Sequence, residues 1–157
     1  DEGVVGAIGI GVNETAVCLE ALQRVHLDYI MLAGCYTLLD QSANSAFFQT
    51  LKDHGTKPIA AAPFHSGILV KGAVKGAKFD YQPASEEILS QVRDLSAICE
   101  KYDIPLPAAA LQFPLQHPEV DCIVTGMRTC TQVEQTVAWL ATAIPDDLWT
   151  ELEALSP

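Results

Sequence analysis

The sequence predicts an α/β protein in which parallel strands alternate with helices. Three observations lead to this fold class. Short runs of small and β-branched residues without polar alternation are typical of strands buried on both faces of a parallel sheet. Each such run is followed by apolar residues at helical spacing. The paired pattern recurs along 157 residues, a length that suits one compact domain.

The first unit opens with the run GVVGAIGIG at residues 3–11, which we predict to be a buried strand. Asn13 is then predicted to cap a helix that packs on the sheet. The apolar stripe of that helix has i, i+3, i+4, i+7 spacing and consists of Cys18, Ala21, Leu22 and Val25. The first unit is therefore a strand followed by a helix.

The second unit repeats this pattern. Residues 27–34 (LDYIMLAG) form the predicted strand, and a polar break follows. The next helix carries Phe47, Phe48 and Leu51 on one face. Gly55 is predicted to end it in the C′ position.

The third unit has a strand at residues 57–64 (KPIAAAPF) and an unusually long loop, rich in glycine and lysine, at residues 67–84. The long helix after the loop presents an aligned apolar face of Ile88, Val92, Leu95, Cys99 and Tyr102. Pro105 and Pro107 are predicted to begin another helix through residues 108–116, since a first-turn proline loses no helical hydrogen bond.

The fourth unit has its strand at residues 121–125 (DCIVT). Thr129 is predicted to cap the following helix, whose apolar face consists of Val133, Val137 and Leu140. A last helix is predicted from Pro145 through Leu155. Four consecutive units of this kind predict parallel strands with right-handed crossovers.

Composition and charge exclude several classes of function. Nine basic and twenty acidic residues give a formal charge of −11, which would repel nucleic acid and anionic membranes. No run approaches the roughly 20 apolar residues that cross a bilayer, and no secretory signal pattern is present. We therefore expect a cytoplasmic protein that binds neither. Half of the six lysines are Lys71, Lys75 and Lys78, where an anionic small molecule could be attracted.

The five cysteines are widely spaced, with no C-x-x-C pair and no nearby histidine at a metal-ligand interval. They are Cys18, Cys35, Cys99, Cys122 and Cys130. We expect reduced, structural thiols and no metal site.

The architecture of the sheet is open at this point. A complete eight-unit barrel needs roughly 250 residues, and a doubly wound sheet usually carries a G-x-G-x-x-G motif after its first strand. Gly9 and Gly11 form a G-x-G that stops short of that motif. We interpret them as positions of close packing.

Four segments at the predicted strand ends, taken in order, resemble the last four strand ends of the aldo-keto reductases. They are AIGIGVNE (7–14), LAGCYTLLDQ (32–41), APFHSGIL (62–69) and VTGMRTCTQVEQ (124–135). The resemblance covers nearly the whole chain and is closest to the sugar-oxidising branch that includes D-threo-aldose 1-dehydrogenase, L-fucose dehydrogenase and pyridoxal 4-dehydrogenase. It implies that residues 1–157 form one domain, the C-terminal half of a (β/α)₈ TIM barrel, with the catalytic N-terminal half absent.

The same resemblance implies an NAD or NADP cofactor across the barrel mouth and hydride transfer with a sugar or an aldehyde. In the family a Tyr, Lys, Asp and His tetrad acts on the carbonyl, and all four come from the first half of the barrel. None of their motifs occurs in this sequence, so we assign no catalytic residue. Tyr36 is predicted to be a packed ring at the barrel rim, and Lys71 is likewise not assigned to catalysis.

The resemblance also implies three cofactor-binding segments, of which the first lies at the end of the first strand. Gly11, Val12 and Asn13 match the segment that holds the nicotinamide carboxamide, where most relatives have Ser-Asn. Asn13 is a candidate for that hydrogen bond as well as for the helix cap. Ala33 and Ala61 stand where many relatives have a glutamine and a stacking aromatic ring.

The second segment matches the loop that wraps the pyrophosphate, a task suited to backbone N–H groups and a hydroxyl. Its implied cofactor-binding residues are Pro63, Phe64, Ser66, Gly67 and Leu69. Ser66 is the first candidate, and Phe64 could replace the missing ring. His65 stands at a common Asn position near the substrate mouth and is either a substrate contact or a solvated loop histidine. We interpret the other histidines as helix-end or turn residues: His26, His54 and His117.

The third segment matches the region that grips the adenosine phosphate. Its implied residues are Gly126, Met127, Arg128, Gln132, Gln135 and Thr136. Arg128 is the expected anchor. NADPH-specific members have Lys and Arg at the positions of Gly126 and Gln132, so NAD is as well supported as NADP.

Three hypotheses about function remain open. The chain starts at Asp1 without methionine, and we expect it to be a piece of a longer protein. In the first hypothesis it is a fragment of an NAD(P)-dependent oxidoreductase that acts only with the missing half-barrel. In the second it is a non-enzymatic nucleotide-binding module. In the third it pairs with a second copy of itself, because two parallel edge strands would otherwise face water.

Overall fold

The structure, a computed structural model, describes residues 3–155. In chain order its elements are β1 (Gly9–Val12), α1 (Thr15–Leu22), β2 (Tyr29–Ala33), α2 (Ser45–Asp53), β3 (Lys57–Ala61), α3 (Ile68–Lys71), β4 (Lys78–Phe79), β5 (Gln82–Pro83), α4 (Glu86–Lys101), α5 (Leu106–Gln112), β6 (Cys122–Val124), α6 (Cys130–Leu140) and α7 (Asp146–Glu153). Short 3₁₀ helices precede α3 at His65–Gly67 and follow α5 at Phe113–Gln116.

Four strands form one parallel sheet in the order β1, β2, β3, β6. Ile10 pairs with Ile30, and Ala61 lies between Ala33 and Val124. Because all four strands run in one direction, their carboxyl ends meet at a single edge of the sheet, where the ligand-binding loops of parallel α/β proteins lie. The predicted α/β fold with four parallel strands is confirmed.

The first unit is shorter than predicted. The strand covers Gly9–Val12 only, because β2 begins opposite Gly9 and leaves residues 3–8 without a paired strand. Asn13 is not the helix cap: Glu14 holds that position in α1 and makes no side-chain cap bond. The helix ends at Leu22, so Val25 lies beyond it and is exposed.

Side-chain caps and a glycine mark several ends of the later helices, and α5 ends at Gln112, four residues before its predicted end, where the chain continues as a 3₁₀ helix. Asn44 caps α2, since its Oδ1 accepts the N–H of Phe47 at 3.1 Å. Gly55 follows α2 with φ 68°, a conformation that glycine adopts without steric cost. Ser85 and Thr129 cap α4 and α6 through the same kind of hydrogen bond. The predicted roles of Gly55 and Thr129 are confirmed.

The region predicted as one long loop contains ordered elements. It holds the short helix α3 and an antiparallel hairpin of β4 and β5. The two turn residues of the hairpin, Asp80 and Tyr81, have φ values of 46° and 65°. Two successive positive φ values are typical of a type I′ turn, which usually contains Asn-Gly or Asp-Gly. A tyrosine in that position gave no sequence signal for the turn.

Two groups of buried apolar side chains form the core. One lies among α3, α4, α5 and α7, and the other lies between the sheet and helices α1 and α2. Tyr36 packs against both groups. Its ring centre is 4.9 Å from that of Phe48 and 5.2 Å from that of Phe113. The predicted packing role of Tyr36 is confirmed.

The two edges of the sheet are open in the described part of the chain. β1 and β6 each pair with a strand on one side only. Helix α6 packs against α5 and has no fully buried residue. Its predicted core face is therefore exposed, with Val137 at 61% and Val133 and Leu140 about half exposed. Among residues 3–155, no strand pairs with β6 on its outer side.

No helix within residues 3–155 is both long and apolar enough to cross a membrane. In the same range, no three His, Cys, Asp or Glu side chains are grouped so as to hold a metal ion.

Candidate functional site

A cleft of about 450 Å³ lies beside the carboxyl ends of β3 and β6. Its walls come from the loop after β3, helix α3, the hairpin turn, the loop after β6 and the first turns of α6. The lining residues are Ala62, Phe64, His65, Ser66, Gly67, Val70, Lys71, Tyr81, Thr125, Gly126, Met127, Arg128, Gln132, Gln135, Thr136 and Trp139. The carboxyl ends of parallel strands are the usual position of a binding site in this fold class.

Ten of the residues that the sequence predicts for ligand binding line this cleft. They are Phe64, His65, Ser66, Gly67, Gly126, Met127, Arg128, Gln132, Gln135 and Thr136. They come from the second and third predicted segments, which are about sixty residues apart in sequence. Pairing of β3 with β6 is what brings the two segments together.

Two predicted residues of the β3 loop do not reach the cleft. The side chain of Leu69 is fully buried in the core, because α3 turns this position towards α5. Pro63 is also fully buried. Neither residue lines the cleft, so their predicted contact with a cofactor stays a prediction.

The first predicted segment lies apart from the cleft. Gly11, Val12 and Asn13 stand at the carboxyl end of β1, and β2 separates them from β3. Two strand spacings correspond to about 10 Å. Asn13 accepts a hydrogen bond from Sγ of Cys35 at its backbone carbonyl, 3.0 Å away. These residues would contact only a ligand that extends along the edge of the sheet.

The loop after β3 has an unusual backbone. Ala62, His65 and Ser66 have φ values of 56°, 40° and 54°, in the left-handed region that non-glycine residues seldom occupy. Such conformations cost on the order of 1 kcal/mol or more each and persist where the surroundings hold them. Oγ of Ser66 accepts the N–H of Tyr81 at 3.1 Å. Its hydroxyl hydrogen is left to donate to a ligand in the cleft.

His65 is buried, with 3% of its surface exposed. Its Nε2 lies 2.7 Å from Oγ1 of Thr37, and its Nδ1 lies 3.5 Å from Oδ1 of Asp80. The ring stacks on Phe79 at a centre distance of 4.6 Å. The alternative of a solvated loop histidine is therefore wrong. A substrate contact stays a prediction, since His65 lines the cleft.

Burial lowers the pKa of His65, because desolvation disfavours the imidazolium. The carboxylates of Asp80 and Asp40 and the backbone of Gly34 act in the opposite direction and do not overcome the burial. Burial therefore favours the neutral imidazole of His65.

On the other wall of the cleft, the N-terminus of α6 is organised by its own side chains. Thr129 accepts the N–H of Gln132, and Oε1 of Gln132 accepts the N–H of Arg128 at 2.7 Å. The guanidinium of Arg128 is exposed at the cleft. Trp139 closes this wall, with its ring centre 5.8 Å from that of Phe64 in an edge-on arrangement.

A second cavity of about 260 Å³ adjoins the cleft and shares Ser66, Gly67 and Lys71 with it. Lys71, Lys75 and Lys78 all line it. Three lysines line one cavity in a chain of charge −11. That an anionic small molecule is attracted to them stays a prediction.

Sequence reasoning missed five lining residues. They are Ala62, Val70, Tyr81, Thr125 and Trp139. Trp139 stands at helical spacing from Gln132 and Gln135 and could have been found from that pattern. Tyr81 depends on the hairpin turn, for which the sequence gave no signal.

The remaining histidines lie where expected, at helix ends and turns. Nδ1 of His54 is 2.9 Å from the carbonyl of Thr50 at the end of α2. His117 ends the second 3₁₀ helix and stacks on Phe48. His26 lies in the connection between α1 and β2, directly after the turn that follows α1, and near Asp28.

Comparison with known proteins gives a consistent result. A family model described as "Aldo/keto reductase family" matches residues 1–157. The chain is 40% identical over 152 residues to pyridoxal 4-dehydrogenase of Microbacterium luteolum, covering 97% of the chain and 44% of that protein. It is 39% identical to D-threo-aldose 1-dehydrogenase of a Pseudomonas species, covering 96% of the chain and 46% of that protein. The chain thus spans less than half the length of these curated relatives.

A solved structure agrees with the sequence matches. The holo form of an aldo-keto reductase from Bacillus halodurans superimposes with a TM-score of 0.78 at 25% identity. The alignment covers 99% of the chain and 52% of that structure. The four parallel strands with their helices therefore match about half of a barrel-like fold.

Proposed function

This chain belongs to the aldo/keto reductase family, and we propose that it supplies the nucleotide-binding part of an NAD(P)-dependent oxidoreductase acting on a sugar or an aldehyde. The observation that carries the proposal is the cleft at the carboxyl ends of β3 and β6. Its two walls carry the hydroxyl of Ser66 and the guanidinium of Arg128. The two relatives described above are named as dehydrogenases of pyridoxal and of an aldose.

The residues of the cleft fit a dinucleotide. Ser66 has a hydroxyl hydrogen to donate to a phosphate oxygen, and the adjoining lysine cavity provides positive charge for a pyrophosphate. Arg128 supplies a planar cation on the opposite wall, suited to a phosphate. The rings of Phe64 and Trp139 form an apolar surface between them. A bound nicotinamide cofactor would carry the hydride.

Within the reaction, this chain binds and orients the cofactor. We assign no catalytic tetrad within residues 3–155. His65 is buried at the cleft, and both of its ring nitrogens face protein groups. The groups that hold and move the proton at the substrate carbonyl would come from another half-barrel. We therefore propose that the chain turns over substrate only when that half is joined to it.

Titration with NADH, followed by nicotinamide fluorescence, tests the nucleotide site. Arg128→Ala is expected to weaken binding about tenfold, as for loss of a charge-assisted hydrogen bond worth about 1.5 kcal/mol. Arg24→Ala is the matched control, because Arg24 is an exposed arginine that pairs with Glu20 on α1. Equal affinities of the two variants, or no binding at millimolar NADH, would contradict the proposal.

The open edges of the sheet favour a partner for this chain. Apolar side chains are exposed on both sides, at Val4 and Ile8 near β1 and at Val137 and Leu140 on α6. We propose that a second half-barrel covers them, either as another part of a longer polypeptide or as a second copy of this chain. Light scattering on residues 1–157 distinguishes these, since a monomer that stays in solution would eliminate the second copy.

A non-enzymatic nucleotide-binding module remains the alternative function. It predicts NADH binding without turnover even when the other half-barrel of a relative is supplied. Hydride transfer to pyridoxal or an aldose by the reconstituted pair, measured as a change in NADH absorbance, would eliminate it.

A further inference from the structure

We propose that His65 is a positioning residue that fastens the β4–β5 hairpin to the loop after β3, and thereby fixes Ser66 at the wall of the nucleotide cleft. The effect on cofactor binding rests on the proposed nucleotide-binding function. The attachment of the hairpin to the loop depends only on contacts within the chain.

The hairpin turn is attached to the loop at two adjacent points. Asp80 faces Nδ1 of His65, and the N–H of Tyr81 donates to Oγ of Ser66. One strand of the hairpin adds a third contact, because the ring of Phe79 stacks on the imidazole with an interplanar angle of 18°. Successive residues of the turn thus hold successive residues of the loop.

The hydrogen bonds around Thr37 determine the tautomer of His65. Oγ1 of Thr37 accepts the N–H of Leu39 at 3.2 Å and the N–H of Asp40 at 3.1 Å. Both of its lone pairs are then used, so its hydroxyl hydrogen has to be donated. Nε2 of His65, at 2.7 Å, is a closer acceptor than the carbonyl of Asp40 at 3.5 Å.

An Nε2 that accepts leaves the proton of the neutral ring on Nδ1. Nδ1 lies 3.5 Å from Oδ1 of Asp80, and the backbone of Gly34 also interacts with the ring. A histidine protonated on both nitrogens would present a donor to Thr37, and one of the turn hydrogen bonds of Thr37 would be lost. The hydrogen bond with Thr37 therefore favours the Nδ1–H tautomer of His65, which can donate to Asp80 in the hairpin.

The backbone is strained where the loop after β3 meets the hairpin, and the contact between His65 and Asp80 helps to hold it there. His65, Ser66, Asp80 and Tyr81 all have positive φ and lie where the loop and hairpin meet. Left-handed non-glycine residues are kept only by contacts that over-determine them. Without the contact between His65 and Asp80, Ser66 would be free to relax from φ 54°, and its hydroxyl would leave the position at which a phosphate oxygen could accept from it.

Asp80→Asn is the sharpest variant, because asparagine tolerates positive φ and the side chain is 66% exposed, so the fold should be retained. Its matched control is Asp28→Asn, at the amino end of β2, where the carboxylate lies near His26 and accepts the N–H of Ile8, a bond that the asparagine oxygen can also accept. Both variants would be made in the 157-residue chain. The probes are ¹⁵N chemical shifts of the imidazoles, hydrogen exchange of the Tyr81 amide, and NADH affinity.

We expect His65 to show the Nδ1–H tautomer in the wild type. Asp80→Asn should raise the exchange rate of the Tyr81 amide and weaken NADH binding, each on the order of threefold, as for loss of a partly exposed charged contact. Asp28→Asn should change neither.

An Nε2–H tautomer, or an unchanged exchange rate in Asp80→Asn, would overturn the fastening. Faster exchange with unchanged NADH affinity would overturn the positioning role while leaving the contact in place. If the wild type binds no NADH, the proposed nucleotide function fails and the role at the phosphate with it, and the tautomer and exchange rates still decide whether His65 holds the hairpin.

Discussion

A Cβ atom on Gly9 would lie 2.5 Å from the backbone carbonyl oxygen of Tyr29. The two residues are register partners in the parallel pair of β1 and β2. No side chain fits between them unless the strands move apart. Close packing, which the sequence indicated for the glycines of this strand, is what Gly9 provides.

Gly9→Ala is therefore expected to displace the edge strand β1. Overpacking of this kind costs about 1–3 kcal/mol, and urea denaturation should show a loss in the free energy of unfolding of that size. Gly6→Ala is the control, because a Cβ at Gly6 meets nothing within 4 Å. Equal stability of the two variants would show that β1 is not held against β2 as described.

A second prediction compares two asparagines. Asn44→Ala should lower the free energy of unfolding by about 1 kcal/mol, since it removes a side-chain cap at the start of a helix. Asn13→Ala should change stability little, because the side chain of Asn13 caps no helix. Urea denaturation of both variants tests this. A larger loss in Asn13→Ala than in Asn44→Ala would contradict the capping described for α1 and α2.

These two residues show what sequence patterns can and cannot predict about the fold. The order of strands and helices follows from apolar periodicity, and α4, α6 and α7 begin within two residues of the predicted positions. Asn13 has the chemistry of a cap, but the chain turns one residue later, at Glu14. Such a shift depends on the length of the β1–β2 pairing, which is a tertiary property.

The candidate site was predictable to a similar extent. Ten predicted residues line the cleft, because two of the segments that resemble aldo-keto reductases follow the neighbouring strands β3 and β6. Leu69 was assigned by its position in a segment, whereas its direction depends on the short helix α3, which no pattern predicted. The contact between His65 and Asp80 requires the hairpin, and its Asp-Tyr turn lacks the glycine by which such turns are recognised.

The five cysteines are free and differ in accessibility, which predicts a labelling pattern. Cys122 and Cys130 are exposed and should react with a thiol reagent in the native protein at pH 7.5. Cys18, Cys35 and Cys99 are buried. Burial raises the pKa of Cys18 and of Cys99 to about 11, which disfavours the reactive thiolate.

The measurement is a count of reacted thiols by mass spectrometry, with and without urea. Two modified cysteines in the native state and five in urea are expected. A Cys122→Ser variant, which changes an exposed thiol at the start of β6, should reduce the native count to one. Rapid native labelling of Cys18 or Cys99 would contradict the packing of the core around them.

The last prediction concerns pH. Burial lowers the pKa of His65 and of His117 in the folded state. Below their ordinary value of about 6.5, the unfolded chain then binds more protons than the folded one, so stability falls as the pH drops. The groups that face His65 are the carboxylates of Asp80 and Asp40, and Lys71 and Arg128 line the same cleft.

Urea denaturation at pH 7.5, 6.5 and 5.5 is expected to show a midpoint that decreases with each step. Replacing both histidines, as His65→Asn with His117→Asn, should flatten that decrease, since neither remaining side chain takes up a proton in this range. Each single variant should remove part of it. Because the pKa of Glu119 and of Glu151 is lowered from a value already below this range, an undiminished decrease in the double variant would contradict the burial of the two imidazoles.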